Sequence, residues 1–218
     1  IEVTYEIMRH VTDVDKAMED GAPILRENAG DGSVPKGMHP NVVRYHESGH
    51  GDLETGFASA DLVIEDTFRT EATHQGYIEP HACLAQLGGD GKGELWCCTQ
   101  GHFHVQKTCA ALLDIETSAL RVTPSEIGGG FGGKTAIFIE PVALALSRKT
   151  NRPVKLVMSR SEVFRATGPT SSTSMDIKIG MKKDGTITAG SGVFRLQGGA
   201  FPGAPMEFTA MCAFAPYN

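Results

Sequence analysis

The densest concentration of chemistry-bearing positions is the run Gly128-Gly129-Gly130-Phe131-Gly132-Gly133-Lys134. Glycines let backbone N–H groups come close to a ligand oxygen or phosphate. The run lies between a strand-like and a helix-like stretch, so its amides are expected near a helix N-terminus, where negative charge is favoured. Gly128, Gly133, Lys134 and Thr135 satisfy the letters of a phosphate-binding G-x-x-x-x-G-K-[ST] loop. Five glycines crowded around one Phe depart from most such loops, however, and no acidic partner strand is evident. The plainer reading is a tight turn in which Phe131 caps the core. Gln100 closes the apolar run Leu95–Thr99 just before Gly101. Its amide can donate into a pocket, or it can end a strand with its polar atoms satisfied by backbone.

The stretch His74–His81 mixes polar side chains with apolar neighbours. If it is extended, Glu79 and His81 share a face as a carboxylate–imidazole pair. Such a pair serves as a proton relay or, more plainly, as part of a buried structural network. His39, His46 and His50 fall in a loop-like segment, where a metal site competes with simple solvation. Gly198–Pro205 (GGAFPGAP) is a second glycine-rich turn, without a nucleophile or charge, and offers a ligand only backbone contact.

Residues 1–6 alternate apolar and polar and predict a strand. Thr12–Asp15 followed by Lys16–Met18 predicts a short capped helix ending at Gly21. Residues 28–56, rich in Gly, Pro, His and Asn, predict an irregular connector. A strand is expected from Leu62, and residues 81–87 and 94–100 predict a hairpin across GGDGKG. Val105, Cys109, Leu112 and Leu113 follow helical spacing. A strand over 119–125 precedes the glycine run. A buried helix is expected from Ala136 to Leu146, with Pro141 in its first turn or kinking it. A strand over 153–159 and a long hairpin, 173–181 and 187–196 about Lys183–Thr186, complete the pattern. No clear element is expected after GGAFPGAP. The fold class is α+β, with mixed β-sheets and packed helices.

The 218 residues suit roughly one to two domains and can bury a core without staples. The net charge is −6, which argues against a nucleic-acid surface. No run of about 18 apolar residues exists to span a membrane. The opening residues carry no signal-peptide pattern and no initiator Met, so an internal piece of a longer polypeptide is expected. Glycine is the outlier, with 26 residues, about 12% against a usual ~7%. Five irregularly spaced cysteines, with no CxxC pair, make no disulfide framework and no zinc or iron–sulfur site. They suit a cytoplasmic location.

Taken in order, YIEPHACLA (77–85), TQ (99–100), a helix, GGGFGGK (128–134), RPVKLVMSRSE (152–162) and GGAFPGAP (198–205) closely resemble one family. It is the molybdopterin-binding subunit of the xanthine dehydrogenase/aldehyde oxidase family of molybdenum hydroxylases. That group is similar to bacterial carbon monoxide dehydrogenase and hydroxybenzoyl-CoA reductase large subunits. The resemblance implies a molybdenum cofactor-binding fold of that type and a cofactor, molybdopterin or its cytosine dinucleotide form. It implies hydroxylation of an aldehyde or N-heterocyclic carbon, with electrons leaving through 2Fe–2S clusters to FAD on partner domains or subunits. Gln100 matches the glutamine whose amide hydrogen-bonds a molybdenum oxygen ligand. Gly101, Gly130, Phe131, Gly132 and Gly133 match cofactor-binding positions, and no residue here ligates the metal directly. Thr135 stands in the substrate pocket where xanthine-oxidising members carry a glutamate that helps hold a purine, which weakens a purine reading.

The family's base glutamate and its later cofactor loops have no match in this chain. The resemblance divides it into the tail of an α/β hammerhead domain (1–20), a connector (21–56) and an incomplete first molybdopterin-binding region (57–218). The remainder of the subunit, iron–sulfur and FAD partners and a small-molecule substrate are implied. The isolated piece is expected to be inactive. A non-catalytic ligand-binding or assembly relative, and more remotely a P-loop-like nucleotide binder, are the alternatives.

Overall fold

A computed structural model of the protein describes residues 2–27, 30, 32–199 and 207–217. Along the chain the elements are α1 (Leu53–Ala58), β1 (Leu62–Thr70), β2 (Ala82–Leu87), β3 (Gly93–Cys97), α2 (His102–Leu113), β4 (Leu120–Pro124), α3 (Glu140–Thr150), β5 (Val154–Val157), α4 (Arg160–Ala166), β6 (Thr173–Met181), β7 (Ile187–Leu196) and α5 (Glu207–Phe214). They fall into two compact units, one of residues 1–72 with 171–218 and one of residues 73–170. Both sheets carry helices, so the fold is α+β, as the alternation of patterns predicts.

The first unit holds an antiparallel sheet in the order β1-β6-β7. β6 and β7 form the expected hairpin, turned at Gly185 with φ +91°. Residues 2–6 take no regular structure. Alternation alone does not make a strand there, because a strand needs a neighbour to complete its hydrogen bonds. The expected helix near Lys16 is a single 3-10 turn, Lys16–Met18. The Asp13 carboxylate accepts from the Asp15 and Lys16 N–H groups beside it. α5 stands where no element was expected. Its Phe214 ring lies over Gly190, where a Cβ would come within 3.0 Å, and against Phe194. Of GGAFPGAP, residues 200–205 lie outside the described residues.

The second unit is built on a mixed sheet, β4-β3-β2-β5. β2 and β3 are the predicted hairpin, and β4 joins β3 in parallel after the crossover through α2. Strand alternation buries Cys83, Ala85 and Leu87. With Leu95 and Leu120 they pack against Val105, Cys109 and Leu113 of α2 and Ala143 and Leu144 of α3. Leu112, expected on the same stripe, is exposed at its rim. α3 starts at Glu140 rather than Ala136, with Pro141 at its first turn. Proline needs no acceptor there and its fixed φ suits a helix start. No helix among the described residues is long and apolar enough to cross a membrane.

Candidate functional site

The late start of α3 changes the expected character of the glycine loop. Its amides do not lie at a helix N-terminus, because residues 135–139 intervene. They turn to side chains instead. Gly132 N–H and Lys134 N–H both donate to Gln100 Oε1, at 3.1 and 3.2 Å, and Gln100 N–H donates to the Lys134 carbonyl at 2.9 Å. Gly128 N–H donates to Glu79 Oε2 at 2.9 Å, and Glu79 N–H returns to the Gly128 carbonyl. Within the loop, Gly133 N–H closes on the Gly130 carbonyl.

Gln100 follows β3 at the point where the chain turns into α2. Two N–H donors can face only the oxygen of its amide, and that orients the group. Nε2 is left pointing away, on an exposed residue, with no partner among the described residues. Backbone satisfaction and an outward donor therefore coexist in one side chain.

Phe131 adopts φ +49° and is 74% exposed, so it does not cap the core. Its N–H has no acceptor among the described residues. Gly130 and Gly133 are needed for packing. A Cβ at Gly130 would lie 2.5 Å from Gln100 Oε1, and one at Gly133 would lie 2.8 Å from the Tyr77 ring. Gly132, at φ +86°, has nothing within 4 Å on its Cβ side. A Cβ at Gly101 would lie 3.6 Å from the Thr135 carbonyl oxygen and 3.8 Å from His104 Cβ, and the exposed Thr135 hydroxyl donates to the Gly132 carbonyl. Gln100, Gly101, Gly130, Phe131, Gly132, Gly133 and Thr135 are thus brought together around one loop. His104 joins their neighbourhood without having been picked out by its sequence context.

Behind the loop the side chain of Lys134 is fully buried. Its ammonium meets Glu79 Oε2 at 2.5 Å and lies over the Tyr77 ring at 5.0 Å. A lysine held this way presents no charge to a bound phosphate, so the P-loop letters carry no P-loop here. Tyr77 OH lies 2.7 Å from His81 Nε2 and 3.3 Å from Thr167 Oγ1, which in turn meets His74 Nε2 at 2.8 Å.

Glu79 and His81 do not pair. β2 begins only at Ala82, so the two-residue periodicity of a strand does not apply to them. Glu79 faces the loop and His81 faces Tyr77. Burial works to raise the Glu79 pKa, but the hydrogen bonds from Lys134 and Gly128 prevail and hold it below the ordinary value. His81 is pushed down to about 4, by burial first and then by the charges of Lys134 and His74. Burial also lowers His74, with help from Arg160.

His39 Nδ1 accepts from Asn41 N–H, while His46 and His50 are exposed. Among the described residues no three His, Cys, Asp or Glu side chains are grouped to hold a metal ion. The five cysteines are free. Burial raises Cys83 and Cys109 to about 12 and raises Cys97 as well, so none of the three is a ready thiolate.

Residues 34–218 match the family model described as a molybdopterin cofactor-binding domain. A protein of Escherichia coli O157:H7 named as a probable hypoxanthine oxidase is 31% identical over 92% of this chain and 24% of its own length. The nicotinate dehydrogenase large molybdopterin subunit of Eubacterium barkeri is 28% identical over 87% of this chain and 42% of its own length. The reconstituted CO dehydrogenase from Oligotropha carboxidovorans superposes with a TM-score of 0.70 at 28% identity, covering 88% of this chain and 25% of that one. The chain spans less than half the length of each of these relatives. It belongs to the xanthine dehydrogenase/aldehyde oxidase family, as part of a molybdopterin-binding subunit.

Proposed function

We propose that this chain forms one wall of the molybdenum cofactor site in a cytoplasmic oxidoreductase that hydroxylates an aldehyde or N-heterocyclic carbon. The observation that carries the reading is the orientation of Gln100. Its oxygen is held by two loop amides, and Nε2 is free to donate outward. The residues fit such a group. The amide donor of Gln100 adjoins a short loop that carries the Phe131 N–H, without an acceptor among the described residues, and the open side of Gly132. When bound, the molybdenum–pterin group supplies oxygen transfer and two-electron redox chemistry.

Gln100 Nε2 would help hold the group by donating a hydrogen bond to one of its oxygens. A hydrogen bond to a charged group contributes about 1.5–3 kcal/mol. Gly101, Gly130 and Gly133 keep the loop close to its supports, while Gly132 lets the backbone approach the cofactor. Phe131 shields that contact from water. Thr135 brings a neutral hydroxyl to the substrate pocket, which favours a substrate other than a purine. In this reading residues 57–218 form the first molybdopterin-binding region. The remainder of the subunit supplies the base glutamate, and 2Fe–2S and FAD partners receive the electrons.

The test is Gln100→Ala in the full-length enzyme. Turnover per molybdenum atom is expected to fall by about 10- to 100-fold, the equivalent of losing one charge-assisted hydrogen bond. Unchanged turnover at equal molybdenum content overturns the assignment. A wild-type full-length protein without molybdenum or pterin favours the non-catalytic relative.

A further inference from the structure

We infer that Glu79 is a positioning residue: its carboxylate ties the two ends of the glycine loop together and, through Lys134, sets the Gln100 amide. The role of Gln100 rests on the function proposed above. The clamp itself rests on contacts that need no cofactor. One oxygen, Glu79 Oε2, takes both the Gly128 N–H at 2.9 Å and the Lys134 ammonium at 2.5 Å. The first and last residues of the run therefore meet on a single atom. Glu79 N–H holds the Gly128 carbonyl at 3.1 Å, so the loop's entry is fixed from both sides. This approach requires glycine: a Cβ at Gly128 would lie 2.6 Å from Glu79 Cβ.

The other end of the clamp leads to Gln100. The Lys134 side chain is fully buried, and Glu79 is its only carboxylate partner among the described residues. The Lys134 backbone grips Gln100 twice, with its N–H on Oε1 and its carbonyl on the Gln100 N–H. A buried ammonium without its carboxylate is costly and is drawn towards water. The Lys134 backbone is drawn with it, and so is the Gln100 amide that this backbone holds. A residue that only stabilised the fold would show no such coupling to Gln100.

The experiment uses the full-length protein and three variants: Glu79→Gln, Gln100→Ala and the double substitution. Turnover per molybdenum and hydrogen exchange of peptides over 128–135 and 82–97 are measured on each. Glu79→Gln is expected to lower turnover per molybdenum by about tenfold in the wild-type background, but less than about twofold beside Gln100→Ala, because residues acting in series are not additive. Exchange over 128–135 is expected to rise, with 82–97 unchanged.

A full tenfold loss in both backgrounds overturns the link through Gln100. Unchanged exchange over 128–135 overturns the clamp. If Glu79→Gln fails to fold, Glu79→Asp replaces it. That variant keeps the charge but shortens the reach, and is expected to loosen the same peptide by a smaller amount; wild-type exchange in Glu79→Asp counts against the clamp. A wild-type protein without molybdenum removes the cofactor reading, while the exchange measurements still decide the clamp.

Discussion

The glycine loop has two sides built on opposite rules. Its back is crowded and mostly hydrogen-bonded, with His81 Nδ1 and Gln75 Oε1 the buried atoms there that find no partner among the described residues. Lys134, Tyr77, His81 and Thr167 are buried, and each makes a hydrogen bond there. Gly128, Gly130 and Gly133 lie so close to side chains that no Cβ fits. Its front is open and unsatisfied. Phe131 is exposed, Gly132 has empty space beside it, and the Nε2 of Gln100 has no partner among the described residues. The same residue type thus does two jobs within a few positions: at the back glycine permits contact, and at the front it leaves room. In the proposed function stability is concentrated behind the loop and binding in front, so substitutions on the two sides should separate damage to the fold from damage to the site.

The largest cost to the fold is expected from Tyr77→Ala at the back. Tyr77 is 1% exposed, packs with Met158 and Val163 and shares its hydroxyl with His81. Truncating a buried aromatic of this kind destabilises by about 3–5 kcal/mol, and leaving His81 Nε2 unpaired adds to the loss. Denaturant unfolding of the full-length protein, followed by hydrogen exchange over 73–87, checks it. Stability within about 0.5 kcal/mol of wild type, the range of an ordinary surface change, would erase the distinction between back and front.

A pH titration sharpens the same comparison. His81 titrates near 6.5 when unfolded and at about 4 when folded. Between those values the unfolded chain takes up a proton that the folded one refuses. Its stabilising contribution is complete above about pH 6.5 and is lost as the pH falls towards 4, by at most about 3 kcal/mol. Below that it changes no further. Comparing wild type with His81→Gln between pH 7 and 5 isolates this slope from the carboxylates, which titrate lower. Parallel curves for the two proteins would show that the imidazole is not sealed from water behind the loop.

Much of this arrangement is written in local pattern. The β2–β3 hairpin, α2 and β4 follow from alternation, turn chemistry and helical spacing, because each is stabilised largely by what its own residues can bury. Residues 1–6 have the alternation of a strand, but residues 2–6 find no partner strand among the described residues, and no local signal reports a missing neighbour. α5 escapes notice because its apolar residues show little sidedness. At the site, Gln100 and the glycine run stand out by residue type and spacing. What lies behind them does not. A lysine closing a glycine run suggests a phosphate ligand, and only the tertiary contact with Glu79 shows that its charge is already matched. The Glu79–His81 pairing failed for a related reason, since spacing carries meaning only once the backbone conformation is known.

The smallest cost to the fold, and the sharpest test of the front, comes from Gly132→Asn. Gly132 sits at φ +86°, where most side chains are strained by about 1–2 kcal/mol. Asn visits that region more readily than other residues, so the expected destabilisation is under about 1 kcal/mol. Nothing lies within 4 Å of the added Cβ, so that backbone strain is the only cost the described residues impose. The Asn side chain would instead fill the space beside Phe131 that the proposed cofactor needs. The full-length variant should therefore unfold close to wild type while retaining only a small fraction of its molybdenum. Gly133→Ala is the matched control. Its Cβ would press on the Tyr77 ring at 2.8 Å, and overpacking of this kind costs about 1–3 kcal/mol. The two variants should invert the order of damage, with Gly133→Ala losing stability first and Gly132→Asn losing molybdenum first. A Gly132→Asn protein with full molybdenum content and full turnover would mean that the open side of the loop faces solvent in the working enzyme, and the front would then have to be sought elsewhere around Gln100.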